Sequence, residues 1–241
     1  MNIIIIYHKH THGPLIDDKN IHAPEGYVML IVENIYKSYK KEAVLSGISF
    51  NVDAGNIIGI SGANGAGKTT LINIIASVLE PDHGEISLND VSIRERSAYR
   101  HQIGYVPQSI ALSSRLSVYR NLEFWGAVRG LRGADLKLAI ESAAEQSNIN
   151  DFLKKPVGQC SGGMARRVNL AAGIIGNPYL ILLDEPTAGI DEINRDIIID
   201  SIRTLRESGR IILMVNHYAD EMKNLCDRII QIKAGVIEDA P

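Results

Sequence analysis

Eight consecutive residues, Gly62, Ala63, Asn64, Gly65, Ala66, Gly67, Lys68 and Thr69, satisfy the phosphate-binding pattern G-x-x-x-x-G-K-[ST] at every fixed position. The residue types suit a triphosphate. Glycines without Cβ let backbone N–H groups curl around phosphate oxygens, and a following helix turns its partial positive charge toward them. Lys68 is placed to reach the β and γ phosphates, and the Thr69 hydroxyl to sit on Mg²⁺. Four residues far along the chain carry related chemistry. Gln108 follows the apolar run Ile103–Val106, and its amide oxygen can ligate Mg²⁺ or orient water. Asp184 and Glu185 close the all-apolar run Tyr179–Leu183. There Asp184 can hold Mg²⁺ through water, and Glu185, on the opposite pleat direction, can aim at an attacking water. His217 closes Ile211–Val215, where an imidazole can hydrogen-bond a γ-phosphate or polarise the Glu185 and water pair.

A second glycine-bearing segment reads Gln159-Cys160-Ser161-Gly162-Gly163-Met164-Ala165-Arg166-Arg167. Ser161 has N-cap chemistry and the two glycines allow close backbone approach, so this is a second candidate anion site at a helix N-terminus. A plain capped helix is the alternative. Two phosphate cradles in one chain make sense if the second faces another molecule's nucleotide.

Elements must hold these residues in place. Asn56–Ser61 reads as a buried strand leading into the glycine loop, and Lys68 to Leu79 as the helix behind it. Leu30–Ile35 and Ala43–Val52 read as antiparallel partners, with Tyr39, and Tyr36 beside it, available to stack on a purine. Glu85–Leu88, Ile103–Val106, Tyr179–Leu183 and Ile211–Val215 are further strands, and open parallel sheets collect function at the carboxyl ends of such strands. Between Ser109 and about Gln159 the spacing predicts helices over Val118 to Gly130 and Asp135 to Ser147, a helical insertion with Phe124 and Trp125 in its core. A helix after Asp191 is expected to bury Ile193, Ile197, Ile198, Ile202 and Leu205 on one face.

Composition narrows the function classes. With 45% hydrophobic residues in 241, the chain has ample material for a core and is not a disordered protein. A formal charge of -3 gives no overall basic field, so no nucleic-acid partner is expected. Cys160 and Cys226 are too few for a disulfide framework. No apolar run approaches the roughly 18 to 20 residues that span a bilayer, so a membrane role would be peripheral. Residues 1–28, with His8, His10 and His12, read as a flexible extension rather than a metal site, ahead of one domain over 29–241.

With these residues assembled, the chain from about Leu30 to Asp239 resembles the nucleotide-binding subunit of an ATP-binding cassette (ABC) transporter. Gly62–Thr69 resembles the family's Walker A loop, Gln108 its Q-loop, Cys160–Met164 its signature, Leu180–Asp184 its Walker B strand with the base at Glu185, Ala188–Asp191 its D-loop and His217 its switch histidine. The resemblance implies an α/β P-loop NTPase cassette with a mixed central sheet, an antiparallel β edge subdomain and an inserted helical subdomain at about 109–159. It implies ATP and Mg²⁺ as ligands, with Lys68, Glu185 and His217 catalytic. Tyr39, Val44, Gly62 to Thr69, Thr70 and Gln108 would contact ATP, and Thr69, Gln108 and, through water, Asp184 would hold the metal. Ser161, Gly162, Gly163 and Met164 would act in trans, beside Asp191 of the D-loop, in a homodimer or closely related heterodimer. Further implied are an integral membrane permease as partner and a place on the cytoplasmic face of the cell membrane.

The signature departs from the usual Leu and Gln at Cys160 and Met164. Met164 ahead of Ala165-Arg166-Arg167 is similar to the ABC-2 exporter branch, and so is Leu116–Leu122, with Arg120 where an acid is usual. Export is therefore the expected coupling. An importer subunit, or a cassette acting on ribosomes or DNA, is the alternative; the latter kind carries paired cassettes or long insertions that are absent here.

Overall fold

The computed structural model describes residues 28–40 and 42–238. The expected extension, apart from Val28, lies outside the described residues. The chain begins with β1 (Val28–Tyr39), β2 (Glu42–Asp53), β3 (Ile57–Ser61), α1 (Lys68–Ile75), β4 (His83–Leu88) and β5 (Val91–Ser92). It continues through α2 (Arg96–Gln102), β6 (Ile103–Val106), α3 (Val118–Val128), α4 (Gly133–Gln146), two 3-10 turns (Asn150–Phe152 and Val157–Gln159) and α5 (Gly162–Ile174). It ends with β7 (Leu180–Asp184), α6 (Glu192–Glu207), β8 (Ile211–Val215), α7 (Ala219–Leu225), β9 (Arg228–Lys233) and β10 (Val236–Glu238).

Two sheets result. An antiparallel sheet runs in the order β2-β1-β4-β5, and a six-stranded sheet in the order β10-β9-β3-β8-β7-β6. In the second sheet β9, β3, β8, β7 and β6 are parallel, with β10 antiparallel at the edge. Burial on both faces explains why β7, up to its final Asp184, and β8 are apolar without interruption. Alternation then sorts each strand's side chains. Leu180 and Leu182, with Ile211, Leu213 and Val215, face a core shared with α1 and the antiparallel sheet. Ile181 and Leu183, with Ile212 and Met214, face a second core built by α3 to α7. Each such side chain contributes roughly 1.5–3 kcal/mol by leaving water. The sheet thus divides the molecule, and its carboxyl edge is fixed from both sides. No helix among the described residues is long and apolar enough to cross a membrane.

Three expectations need correction. The helix behind the glycine loop stops at Ile75, because Ser77 turns left-handed (φ 56°) and the N–H groups of Val78 and Leu79 both return to the Asn73 carbonyl. Phe124 is not core but 55% exposed. α3 buries Val118, Leu122 and Gly126 at four-residue intervals, and Phe124 falls on the opposite face. Ile193 is likewise 73% exposed, since the buried face of α6 is Ile198, Ser201, Ile202 and Leu205.

Candidate active site

The loop between β3 and α1 has the backbone its glycines permit. Gly62, Gly65 and Gly67 take φ of 150°, 81° and 102°, values that L side chains resist. At Gly67 a Cβ would also come within 2.7 Å of Leu45 Cδ2 and 2.9 Å of the Val44 carbonyl, because β2 lies against the loop. Among the described residues no side chain caps α1 at Gly67, so its first-turn N–H groups are left for another acceptor. Ala66 N–H closes the loop onto Ala63 O at 3.1 Å. Lys68 is only 6% exposed, and its ammonium donates to the carbonyls of Gly62 (2.8 Å) and Ala63 (2.9 Å), which folds it back over the loop. The result is a cleft of about 280 Å³ lined by Val44, Asn64, Gly65, Gly67, Lys68, Thr69, Thr70, Glu185, Val215 and His217. A larger cleft of about 450 Å³ between α6 and α7 has no glycine loop and is walled mainly by charged side chains. Of the two, the smaller combines a glycine loop, an uncapped helix start and a lysine, the donor set that suits a triphosphate.

The opposite wall comes from the ends of β7 and β8. Asp184 is the last residue of β7, buried opposite Val215. Burial, then the neighbouring Glu185 carboxylate, push its carboxyl up, while Lys68 and His217 pull it down. Glu185 lies beyond the strand with φ 51°, and its N–H donates to Val215 O at 2.9 Å. Its direction is therefore set by a left-handed backbone and not, as the pleat suggested, by alternation. A non-glycine residue held there costs on the order of 1–3 kcal/mol, which neighbouring contacts must offset. Both carboxylate oxygens are engaged. Gln108 Nε2 donates to Oε2 at 2.8 Å, and His217 Nε2 lies 2.7 Å from Oε1. The ends of β6, β7 and β8 thus bring Gln108, Glu185 and His217 together beside Lys68.

Other expected site residues lie outside that lining. Tyr39 is 47% exposed at the end of the β1–β2 hairpin, with the Lys37 ammonium 5.9 Å from its ring centre. Lys37 pairs with Asp82 at 2.8 Å, and that pairing, together with the Ser38 N–H, holds the Asp82 carboxyl below its usual range. Tyr36 packs edge-on against His83. The signature segment is also separate from the cleft. Ser161 caps α5, its Oγ accepting from Met164 N–H at 3.2 Å. Gly162 faces open space, whereas a Cβ at Gly163 would sit 2.3 Å from Asn194 Cγ. Gly163 is therefore small because α6 crosses it. Asp191 caps α6 through Asn194 N–H at 3.0 Å and also binds the Asn194 amide. Cys160 packs against the second core with its thiol 3.6 Å from Pro156 O, and burial pushes that thiol up.

What holds Gln108 comes from a distant helix and is not visible in the local sequence pattern. From α5, Asn169 Nδ2 donates to Pro107 O at 3.1 Å and its Oδ1 accepts from Ala111 N–H at 3.1 Å. Arg166, one turn earlier, donates to the Gln108 carbonyl, and Trp125 Nε1 to the Ala111 carbonyl at 3.2 Å. A buried Asn among Val168, Leu170 and Ala171 was the available signal.

Fold and cleft together define a P-loop nucleoside triphosphatase. The ABC transporter family model matches residues 45–188. The linearmycin resistance ATP-binding protein LnrL of Bacillus subtilis is 38% identical over 208 residues, which are 86% of this chain and 67% of that protein. The Nod factor export ATP-binding protein I of Sinorhizobium fredii is 35% identical over 234 residues, 95% of this chain and 68% of that protein. The chain thus spans about two thirds of the length of these relatives. A dimeric structure of a bacterial ABC transporter cassette superposes with a TM-score of 0.78 at 27% identity, covering 87% of this chain and 97% of that one. The chain belongs to the ABC transporter family, as an ATP-binding and ATP-hydrolysing subunit.

Proposed function

We propose that this ATPase drives export through a separate membrane permease, hydrolysing ATP in composite sites made by two copies of the chain or by one copy and a close relative. The observation that carries the hydrolytic part is the meeting of Lys68, Glu185 and His217 in one cleft beside an uncapped helix N-terminus. In this reading the loop N–H groups and Lys68 bind the phosphates, and Glu185 takes the proton of the attacking water. Gln108 and His217 orient the Glu185 carboxylate, one on each oxygen. Among the described residues no three His, Cys, Asp or Glu side chains converge into a metal cage. That suits Mg²⁺, which takes few protein oxygens and binds largely through substrate phosphates. Thr69, Gln108 and, through water, Asp184 would hold it, and its charge would offset that of the phosphates.

The trans assignment of Ser161, Gly162, Gly163 and Met164 is supported by their separation from the cleft, and Asp191 would lie beside them at the same junction. The domain at 29–241 would carry a helical subdomain at about 109–159. That subdomain leaves Ile110, Leu116, Phe124, Val128 and Leu138 exposed, apolar surface suited to a membrane partner. Export is supported by the relatives, one named for Nod factor export and others for linearmycin and daunorubicin resistance. The subunit would then work peripherally on the cytoplasmic face of the membrane. Affinity purification from detergent-solubilised membranes tests this. A multi-span membrane protein that raises the ATPase rate is the expected copurifying partner; RNA or DNA in its place would overturn the reading.

A further inference from the structure

Behind the cleft, the loops that carry Glu185 and His217 are tied together by a buried polar ring that hydrolysis as described does not use. Asn216 is 6% and Thr187 1% exposed. Asn216 Nδ2 donates to Thr187 Oγ1 at 3.0 Å and to Glu221 Oε2 at 2.7 Å, and the Thr187 hydroxyl donates to the same Glu221 oxygen at 2.7 Å. The count closes, because two amide hydrogens and one hydroxyl hydrogen each have an acceptor. The remaining polar atom of Asn216, Oδ1, accepts from Tyr218 N–H at 3.2 Å, so this one side chain spans the backbone of His217. On the other loop Thr187 stands two residues after Glu185. From outside, Arg195 Nε lies 3.1 Å from Glu221 Oε1, at ion-pair distance but not aligned for a hydrogen bond, and its guanidinium lies over the Tyr218 ring at 4.6 Å.

The ring sits where the β ladder has ended. The last paired residues are Asp184 and Val215, so neither Glu185 nor His217 has its side chain placed by sheet register. We propose that Asn216, closed into this ring with Thr187 and Glu221, is a positioning residue that sets the contact between His217 and Glu185 and so acts on hydrolysis through His217. The proposal rests on the reading of Glu185 and His217 as the working pair. A buried network whose amide and hydroxyl hydrogens all have acceptors restricts how its members can be arranged, and here Asn216 adjoins His217 while Thr187 lies two residues beyond Glu185.

The test is ATP turnover by the purified full chain carrying Asn216→Ala, His217→Ala and both. Asn216→Ala is expected to lower kcat about tenfold with KM for ATP shifted less than about twofold, the mark of an effect beyond substrate binding. Added to His217→Ala, it is expected to cost less than about a further twofold, because a residue acting through His217 has nothing left to position. An unchanged kcat, or a full tenfold loss multiplying that of His217→Ala, overturns the proposal. Thr187 supplies the control should Asn216→Ala not fold. Thr187→Ser keeps the hydroxyl and is expected to retain turnover, while Thr187→Val, of similar shape without the donor, is expected to match Asn216→Ala. Equal behaviour of the two overturns the ring. If His217→Ala and Glu185→Gln themselves turn over ATP at the parental rate, it is the functional reading that fails instead.

Discussion

The two helix N-termini whose glycine-bearing segments offer candidate phosphate sites, those of α1 and α5, are finished differently. α1 begins at Gly67 with no side-chain cap, inside a cleft that also holds Lys68, Glu185 and His217. α5 begins at Ser161, whose own hydroxyl caps the helix, and its open glycine faces empty space. Left-handed glycines and a free set of N–H donors make the first a receptor for phosphate within the chain. The second is complete as a helix end and lines neither of the two clefts described. It offers a surface, not a site, and in the proposed composite arrangement it would meet the nucleotide of another molecule.

The largest effect that separates the two is expected from Lys68→Ala, which removes the buried ammonium from the phosphate cleft. ATP affinity measured by titration calorimetry should fall by about 100-fold or more, the scale of a lost charge-assisted contact. An unaltered affinity would mean the first terminus is not the phosphate receptor. Next comes Glu185→Gln, which keeps the geometry but removes the base. Turnover should fall by about 10²- to 10⁴-fold while ATP stays bound, and light scattering should show a dimer accumulating with ATP.

A smaller pair of changes probes the second terminus alone. Gly163→Ala drives a methyl into Asn194 and should destabilise by about 1–3 kcal/mol, whereas Gly162→Ala meets nothing and should leave thermal unfolding nearly unchanged. Equal effects would remove the distinction drawn between the two glycines. The smallest effect concerns the hairpin beside the first terminus. The Asp82 carboxyl is held low, chiefly by Lys37, so its contribution is present above its unfolded pKa and disappears as pH falls through the folded one. Asp82→Asn should thus be slightly less stable than the parent at neutral pH, and the gap should close in acid; a gap that persists there would assign the loss to something other than charge.

Much of this contrast was legible in the sequence, for physical reasons that also mark where legibility ends. The strand β8 could be delimited because continuous burial on both faces leaves an uninterrupted apolar run. The glycine loop was legible because its backbone tolerates few alternatives. What escaped depended on contacts distant in the chain. The aim of Glu185 comes from a left-handed residue anchored to Val215, and the placement of Gln108 from Arg166 and Asn169, 58 and 61 positions onward. Ile193 and Phe124 looked like core because apolar spacing alone does not say which face of a helix meets a neighbour.

The central claim, that the signature end of one chain completes the phosphate site of another, is tested most directly by mixing two damaged chains. Ser161→Ala leaves the cleft intact and alters the signature; Glu185→Gln alters the cleft and leaves the signature intact. In a mixed dimer one composite site is whole and the other carries both changes. Phosphate release, followed from the first turnover in an equimolar mixture with ATP, should rise above the mean of the two variants measured separately. A rate equal to that mean would place Ser161 in the service of its own chain's nucleotide and contradict the account.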